Sequence, residues 1–202
     1  MWIDDIATKH GLAVQVAAYN GIAGVAVFNQ VNTERYVLEK RWQRGERIFV
    51  AFMMNPSKAA HNATDPTVDQ MLTLAQTHEC DALHVINVSS IITGNSNALN
   101  ASHFQHNTVN WDFIEEVVKN AEIVFISWGI KGQQGINQCI AYLPAVRQVF
   151  VAIQEKLFAY DVLVAVNEQI DYVPHPRPIG AFNRYVNTPI RRITATEFQR
   201  LF

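Results

Sequence analysis

Four apolar, β-rich runs along the chain each end at a polar or glycine residue, and this pattern predicts a sheet with a pocket at one edge. The runs span residues 47–55, 82–87, 122–129 and 161–167. Helix-like segments separate them, which favours a parallel sheet with helices on both faces. Because ligands bind beyond the carboxyl ends of parallel strands, we expect the residues there to face one crevice. These residues are Asn55, Asn87, Trp128, Gly129 and, after the fourth run, His175.

The segments between the runs carry helix signals. Asp65 precedes Pro66, which predicts an N-terminal cap followed by proline in the first turn of a helix. Apolar residues at helical spacing predict a second helix over about residues 108–120. A third helix is expected after the Gly129 loop, and a fourth over about residues 145–158.

The first part of the chain has a different pattern. Residues 12–42 hold two apolar, β-branched runs joined by a plausible turn at residues 30–33, which predicts an antiparallel hairpin or meander beside the main sheet. The predicted fold class is therefore α/β, a three-layer αβα arrangement with a four-stranded parallel sheet and an N-terminal antiparallel β-hairpin. We expect one domain over residues 1–202, with residues 1–46 as the hairpin extension and residues 47–202 as the α/β core.

Composition agrees with an ordinary globular protein. The chain has 202 residues, of which 49% are hydrophobic and 17% charged. One domain with a substantial core is expected at this length. No apolar run reaches the roughly 20 residues that a membrane span needs, and the first residues lack the basic and apolar parts of a signal peptide. These features predict no membrane partner and a cytoplasmic location.

Charge is distributed unevenly along the chain. The net charge of −2 argues against a protein that coats nucleic acid through bulk electrostatics. Residues 175–202, however, contain five arginines, including Arg177 and Arg184, and a single acid, Glu197. This basic segment is either a phosphate-binding surface, with Arg177 and Arg184 among its contacts, or a solvated C-terminal helix, and the pattern leaves both open.

The sequence predicts neither a metal ion nor a cofactor. Cys80 and Cys139 lie far apart and have no metal-ligand spacing, so simple packing is expected for both. His103 and His106 stand three residues apart but have no accompanying carboxylates. The glycines that follow the third run are not spaced as in a dinucleotide-binding loop.

Two asparagines at strand ends are candidates for chemistry. Asn55 is neutral at all working pH values, so it can position a water through its carbonyl dipole but cannot act as a strong base. Asn87 offers a donor pair and an acceptor together, which matches the O=C–N–H edge of a pyrimidine. Each has an equally plausible structural interpretation, Asn55 as a turn residue and Asn87 as a cap for the following loop. The backbone N–H groups of the loop after Asn55, which includes Lys58, are candidates for holding a water or an anion.

The fourth candidate group is a rigid loop, His175-Pro176-Arg177-Pro178. Two prolines fix the backbone there, and a histidine held in such a loop can donate a hydrogen bond to a departing anionic base. Arg177 can meet a phosphate or a carboxylate. The alternative is a proline-rich loop that only reverses the chain.

Taken in chain order, these segments resemble the uracil-DNA glycosylase superfamily. FVAFMMNPS is similar to its water-activating motif, ALHVINVSS to the strand ending in its base-recognising asparagine, EIVFISWGIKGQQG to its third strand, and HPRPIGAFNRY to its final His-Pro loop. More narrowly, NPS, DPT and SWG together resemble a bacterial and phage family known as domain of unknown function 1643, whose name supplies no activity. The combined resemblance covers about residues 47–190.

The superfamily resemblance implies hydrolysis of the N-glycosidic bond of a flipped pyrimidine base. In that interpretation Asn55 holds the attacking water, Asn87 binds the base and His175 stabilises the departing base. Ser57 stands where uracil-specific members carry a tyrosine, so a roomier pocket that accepts a modified pyrimidine is expected. The resemblance also places Ile179 at the apolar wedge that enters the duplex.

Some features of the resemblance leave alternatives open. No phenylalanine follows Asn55 within the next twenty residues, so the ring that stacks on a flipped base must come from Phe104, His61 or Trp128. The partner is expected to be DNA or a nucleotide, and the oligomeric state is open. A second hypothesis is a nucleotide or nucleic-acid binding module without turnover, and a third is a protein-interaction scaffold.

Overall fold

The computed structural model of the protein describes residues 2–166, 170–178 and 185–202. Its ten strands in these residues are β1 (Ala13–Tyr19), β2 (Ile22–Phe28), β3 (Arg35–Arg41), β4 (Ile48–Met53), β5 (Ala82–Asn87), β6 (Ile123–Ile126), β7 (Leu157–Tyr160), β8 (Val164–Val166), β9 (Ile170–Tyr172) and β10 (Ile190–Arg192). Eight of them form one sheet in the order β1-β2-β3-β5-β4-β6-β7-β10. Strands β8 and β9 form a separate antiparallel pair.

Six α-helices accompany these strands in the described parts of the chain. They are α1 (Trp2–Lys9), α2 (Pro66–Thr77), α3 (Thr108–Lys119), α4 (Gly129–Tyr142), α5 (Ala145–Ala152) and α6 (Ala195–Leu201). Short 3₁₀ helices span Ser96–Ala98, Ala101–Phe104 and Gln154–Lys156. No helix in the described residues is long and apolar enough to cross a membrane.

The mixed α/β class is confirmed, but the predicted sheet of four parallel strands is wrong in extent. Strands β5, β4, β6 and β7 are paired in parallel, while β1, β2 and β3 form an antiparallel meander that joins β5 directly. The meander is thus part of the main sheet. Its first run divides into two strands at Asn20 and Gly21, both of which have positive φ, the conformation of a tight hairpin turn.

Two further elements differ from the prediction. The fourth parallel strand is β7, not residues 161–167, and the helix expected over residues 145–158 ends at Ala152. The apolar residues of α5 and β7 are close together along the chain, so periodicity merged them into one helix. The predicted fourth strand lies partly outside the described residues. Its described part is residues 161–166, of which Val164–Val166 pair with β9 instead.

Helices pack on both faces of the sheet. Side chains on one face form a hydrophobic cluster with α1, α3, α4, α5 and α6, and those on the other face form a second cluster with α2. Strand β5 is buried along its whole length because it lies between these two layers. Asp65 caps α2 as predicted, accepting hydrogen bonds from the backbone N–H groups of Thr67 and Val68.

Candidate ligand-binding pocket

A pocket of about 560 Å³ lies at the carboxyl ends of β4 and β5. Its walls come from these strand ends, from the first turns of α2 and α4, and from the chain around residues 172–178. Asn55, Asn87 and His175 all line it, although up to 120 residues separate them along the chain (175 minus 55). The sequence predicted this convergence from the strand ends, and the volume is within the range of small-molecule sites.

Asn87 is the most unusual polar group of the pocket. Its side chain is on the last residue of β5, is 1% exposed, and makes no hydrogen bond through either Nδ2 or Oδ1. An unpaired buried polar group costs about 1–3 kcal/mol of stability. Side chains alternate along a strand, so Asn87 is on the same face as Val85, which also lines the pocket. Asn87 therefore has a donor and an acceptor that the described residues do not use.

Asn55 is held in a defined orientation by backbone carbonyls. Its Nδ2 donates to Pro56 O and Thr93 O, both at 2.9 Å, and lies 3.5 Å from Ile91 O. These acceptors identify the amide nitrogen, because only the NH₂ group can donate to them. No described residue bonds Asn55 Oδ1, so the carbonyl oxygen is the atom that can accept a hydrogen bond from a ligand or a water.

His175 is held by the loop that contains it. The backbone N–H of Arg177 donates to His175 Nδ1 at 3.1 Å, and Arg177 O lies 3.2 Å from the same nitrogen. Burial lowers the pKa of His175 below its ordinary value, against the opposing effects of the Arg177 backbone and of Asp65. The neutral imidazole is therefore favoured, and when Nδ1 accepts the N–H bond its proton is on Nε2.

Trp128 and Gly129 form part of the pocket wall, and the Trp128 ring packs against other aromatic rings. The Trp128 side chain is fully buried, donates from Nε1 to Gln133 Oε1 at 2.9 Å, and contacts the rings of Phe52 and Phe150 edge-on. Gly129 has a φ of +67°, and a Cβ there would lie 3.4 Å from the Cβ of His175. A residue with a side chain would be strained at this position, which explains the glycine.

Ser57 and Lys58 differ in their relation to the pocket. Ser57 lines it, and its hydroxyl donates to Asp65 Oδ2. Lys58 is exposed and is not among the lining residues, but its Cε lies 3.9 Å from the Cβ position of Gly94, which does line the pocket. Lys58 is therefore near the rim.

The sequence analysis missed Arg35, a pocket-lining residue at the start of β3. Arg35 is 2% exposed, its Nη1 donates to Ala59 O, and its Nε has no hydrogen-bond partner. Burial lowers its pKa to about 10, partly offset by Asp65. A run such as ERYVLEKRW gives no signal for this role, because exposed and buried charges look alike in an alternating strand.

The pocket wall is basic although the chain is slightly acidic overall. Arg35, Lys131 and Arg177 line it, and no aspartate or glutamate of the described residues does. Lys131 Nζ donates to Ser96 O at 2.7 Å and to Leu99 O at 3.1 Å, so it also fixes the loop opposite α4. A wall of this composition favours a ligand with negative charge.

The predicted aromatic contacts are only partly in the pocket. Neither Phe104 nor His61 lines it, and Phe104 packs closely against Gly135 instead. Tyr172 and Tyr185 line the pocket, and neither was predicted. The Tyr185 ring stacks on Tyr160, with centroids 5.0 Å apart.

Two predicted contact residues, Ile179 and Arg184, lie outside the described residues.

The sequence analysis predicted no metal site. In the described parts of the chain, no three histidine, cysteine, aspartate or glutamate side chains are close enough to hold a metal ion. Cys80 and Cys139 are free thiols, and burial raises the pKa of each to about 11, so both are poor nucleophiles.

Comparison with known protein families shows the family to which the chain belongs. The model of a family described as "Protein of unknown function (DUF1643)" matches residues 35–160, which is more than half of the chain. The match begins at Arg35 and includes Asn55 and Asn87, and it ends before His175. No curated protein matches the sequence.

Proposed function

Because the chain belongs to the DUF1643 family, whose function is unknown, we propose a function from the pocket itself. The protein binds a pyrimidine base in this pocket and hydrolyses the N-glycosidic bond that links the base to its sugar. The observation that carries the proposal is Asn87, a buried amide with an unused donor and an unused acceptor on the pocket wall. A pyrimidine edge carries the complementary acceptor and donor, so binding would remove the cost of burying this amide unpaired.

The positions of Asn55 and His175 support hydrolysis. Asn55 Oδ1 accepts a hydrogen bond from the attacking water, because its NH₂ group is fixed on backbone carbonyls. Water oxygen bonds to the anomeric carbon as the C–N bond breaks, and the bond's electron pair leaves with the base. His175 donates from Nε2 to stabilise the anionic base, which then takes up the proton that water loses. The lowered pKa of His175 suits a neutral hydrogen-bond donor.

Resemblance to the uracil-DNA glycosylase superfamily supports a base carried by DNA. Lys58 near the rim and Arg177 on the wall are then the phosphate contacts. Ser57, held by Asp65, leaves space where a tyrosine would exclude a 5-methyl group. A modified pyrimidine is therefore the preferred substrate in this proposal.

A second candidate function is binding without turnover. One observation favours it, since no carboxylate of the described residues lines the pocket, and Asn55 cannot take a proton from water. The protein would then bind a base or nucleotide and leave it intact.

One experiment separates these two functions. Duplex and single-stranded oligonucleotides bearing uracil, mismatched thymine or modified cytosines are incubated with the protein, and abasic product is measured. In parallel, thermal shifts are measured with nucleosides, nucleotides and the same DNA. Hydrolysis predicts abasic product that Asn55→Ala abolishes. Stabilisation by a ligand without product, equal in wild type and Asn55→Ala, would establish binding alone.

A further inference from the structure

Arg35 is a buried cation without an ion pair in the described parts of the chain. Its guanidinium donates to one carbonyl, Ala59 O, while Nε has no partner. Buried charges are normally paired, because removing an ion from water costs several kcal/mol. Asp65 raises the pKa of Arg35 and so partly offsets the effect of burial.

Asp65 does not form an ion pair with Arg35, and its oxygens bind other groups. Oδ1 accepts from the backbone N–H groups of Thr67 and Val68, and Oδ2 accepts from Ser57. The carboxylate attracts Arg35 at a distance without contacting it. The guanidinium therefore has donors that remain available to a group in the pocket.

Arg35 and Asn87 are on neighbouring strands. The backbone N–H of Arg35 donates to Ser90 O at 2.9 Å, three residues beyond the end of β5, and both side chains line the same pocket. The two unsatisfied groups thus belong to one site, with Asn87 suited to the edge of a base and Arg35 suited to an anion.

We propose that the ligand of this pocket carries a terminal oxyanion, which binds Arg35 while Asn87 binds the pyrimidine base. This inference rests on the proposed base recognition by Asn87. An anion that contacts a side chain only 2% exposed is itself enclosed. An internal phosphodiester is unsuitable, because its chain must continue on both sides. The oxyanion is therefore the phosphate monoester of a free nucleotide or a carboxylate attached to the base.

The test compares ligands on the wild-type protein by titration calorimetry. The probes are uridine, uridine 5′-monophosphate, 5-carboxyuridine, inorganic phosphate, and a uracil-containing oligonucleotide without terminal phosphates. We expect at least one of the two oxyanion-bearing nucleosides to bind about tenfold or more tightly than uridine, a typical gain for a charge-assisted bidentate contact. A gain with uridine 5′-monophosphate identifies the oxyanion as a phosphate, and a gain with 5-carboxyuridine identifies it as a carboxylate on the base.

Substitutions then assign this preference to Arg35. Arg35→Gln should remove the preference for the charged ligand, and Arg35→Lys should keep part of it. Lys40→Gln is the matched control, because Lys40 is also on β3, is 1% exposed and donates to a loop carbonyl, His61 O, yet does not line the pocket. Lys40→Gln should keep the preference in full. Should Arg35→Gln fail to fold, the comparison of ligands on the wild-type protein still decides whether the pocket prefers a ligand with an oxyanion.

The outcomes distinguish this inference from the proposed function. Equal affinity for uridine and both charged nucleosides would overturn the oxyanion site and leave base recognition intact. Binding of inorganic phosphate with no gain from the base would overturn base recognition and keep an anion site. An oligonucleotide that binds more tightly than every free ligand, and that gains nothing when its uracil is replaced by 5-carboxyuracil, would overturn the oxyanion site. If no probe binds, both proposals are overturned.

Discussion

Three arginines in residues 190–202 form ion pairs with acidic side chains. The arginine buried in the pocket, Arg35, forms none with the described residues. Arg191 pairs with Asp161 and with Glu197, at 2.6 Å for the latter. Its side chain is 38% exposed, so water would solvate it even without these acids. Arg35 is almost fully buried and has no ion pair among the described residues. In our proposal, the ligand offsets the electrostatic cost of burying Arg35 without an acid.

The ion pairs bear on the two interpretations of the basic C-terminal segment. Arg192 pairs with Glu155 at 2.8 Å, and Arg200 pairs with Asp171. Three of the five arginines therefore hold the end of the chain against the rest of the fold. Of the other two, Arg177 lines the pocket and Arg184 lies outside the described residues, and the phosphate-binding interpretation stays a prediction.

The largest predicted effect is at Asn87. Asn87→Leu removes an unpaired amide and keeps a similar volume, so the free energy of unfolding without ligand should stay unchanged or rise by about 1 kcal/mol. Binding of a pyrimidine ligand should weaken by about 30-fold or more, because two hydrogen bonds are lost. Denaturant unfolding and calorimetry measure the two quantities.

Asn110 provides the control for Asn87. Its Nδ2 donates to Asn87 O at 2.9 Å and to Val88 O at 3.3 Å, so this asparagine stabilises the end of β5. Asn110→Ala should lower the free energy of unfolding by about 1–3 kcal/mol. A large loss of stability in Asn87→Leu would show that Asn87 is instead a structural residue.

A smaller effect is expected from the titration of His175. Its folded-state pKa is lowered by burial, so below about pH 6.5 the unfolded chain takes up a proton that the folded chain refuses. Stability therefore falls as pH falls through this value, by at most about 1.4 kcal/mol between pH 7.5 and pH 5.5. Unfolding free energies of wild type and His175→Gln at both pH values give the difference. An equal decrease in the two proteins would contradict the lowered pKa.

The ion pair of Arg191 and Glu197 should make the free energy of unfolding depend on pH in a lower range. Hydrogen bonds from Arg191 lower the pKa of Glu197 to about 2, so its contribution is present above about pH 4.5 and is lost as pH falls towards 2. Glu197→Gln should cost about 1 kcal/mol at pH 7 and leave ligand binding unchanged. Denaturant unfolding and calorimetry again measure both, and weaker ligand binding would show that the two regions are coupled.

The smallest effect is expected at Arg192. It forms one exposed ion pair, with Glu155, so Arg192→Gln should change the free energy of unfolding by less than about 0.5 kcal/mol. Affinity for a nucleotide should not change. Weaker binding in this variant would return the C-terminal segment to the phosphate-binding interpretation.

Strand ends were the part of the site that the sequence could predict. The runs before Asn55 and Asn87 are short, apolar and β-branched, and the rule for ligands at carboxyl ends needs no knowledge of distant contacts. The prediction failed where partners come from elsewhere in the chain. The antiparallel meander reveals its register only through the pairing of β3 with β5, and the hairpin signal of Asn20-Gly21 was overlooked.

Arg35 shows a different limit of sequence analysis. Its side chain is buried because Ala59 O and the pocket wall surround it, and both depend on tertiary packing. Asp65, which raises the pKa of Arg35, binds Ser57 and the start of α2 instead of Arg35. None of these contacts is visible in local periodicity.

The central claim, that Asn87 binds the base, is tested most directly by nuclear magnetic resonance. The protein is labelled with ¹⁵N-asparagine, the Asn87 side-chain NH₂ signal is assigned with Asn87→Leu, and a pyrimidine nucleotide is added to saturation. We predict that this signal moves downfield and that its exchange with water slows as the amide gains a hydrogen bond. Saturating binding that leaves the Asn87 signal in place would contradict the account.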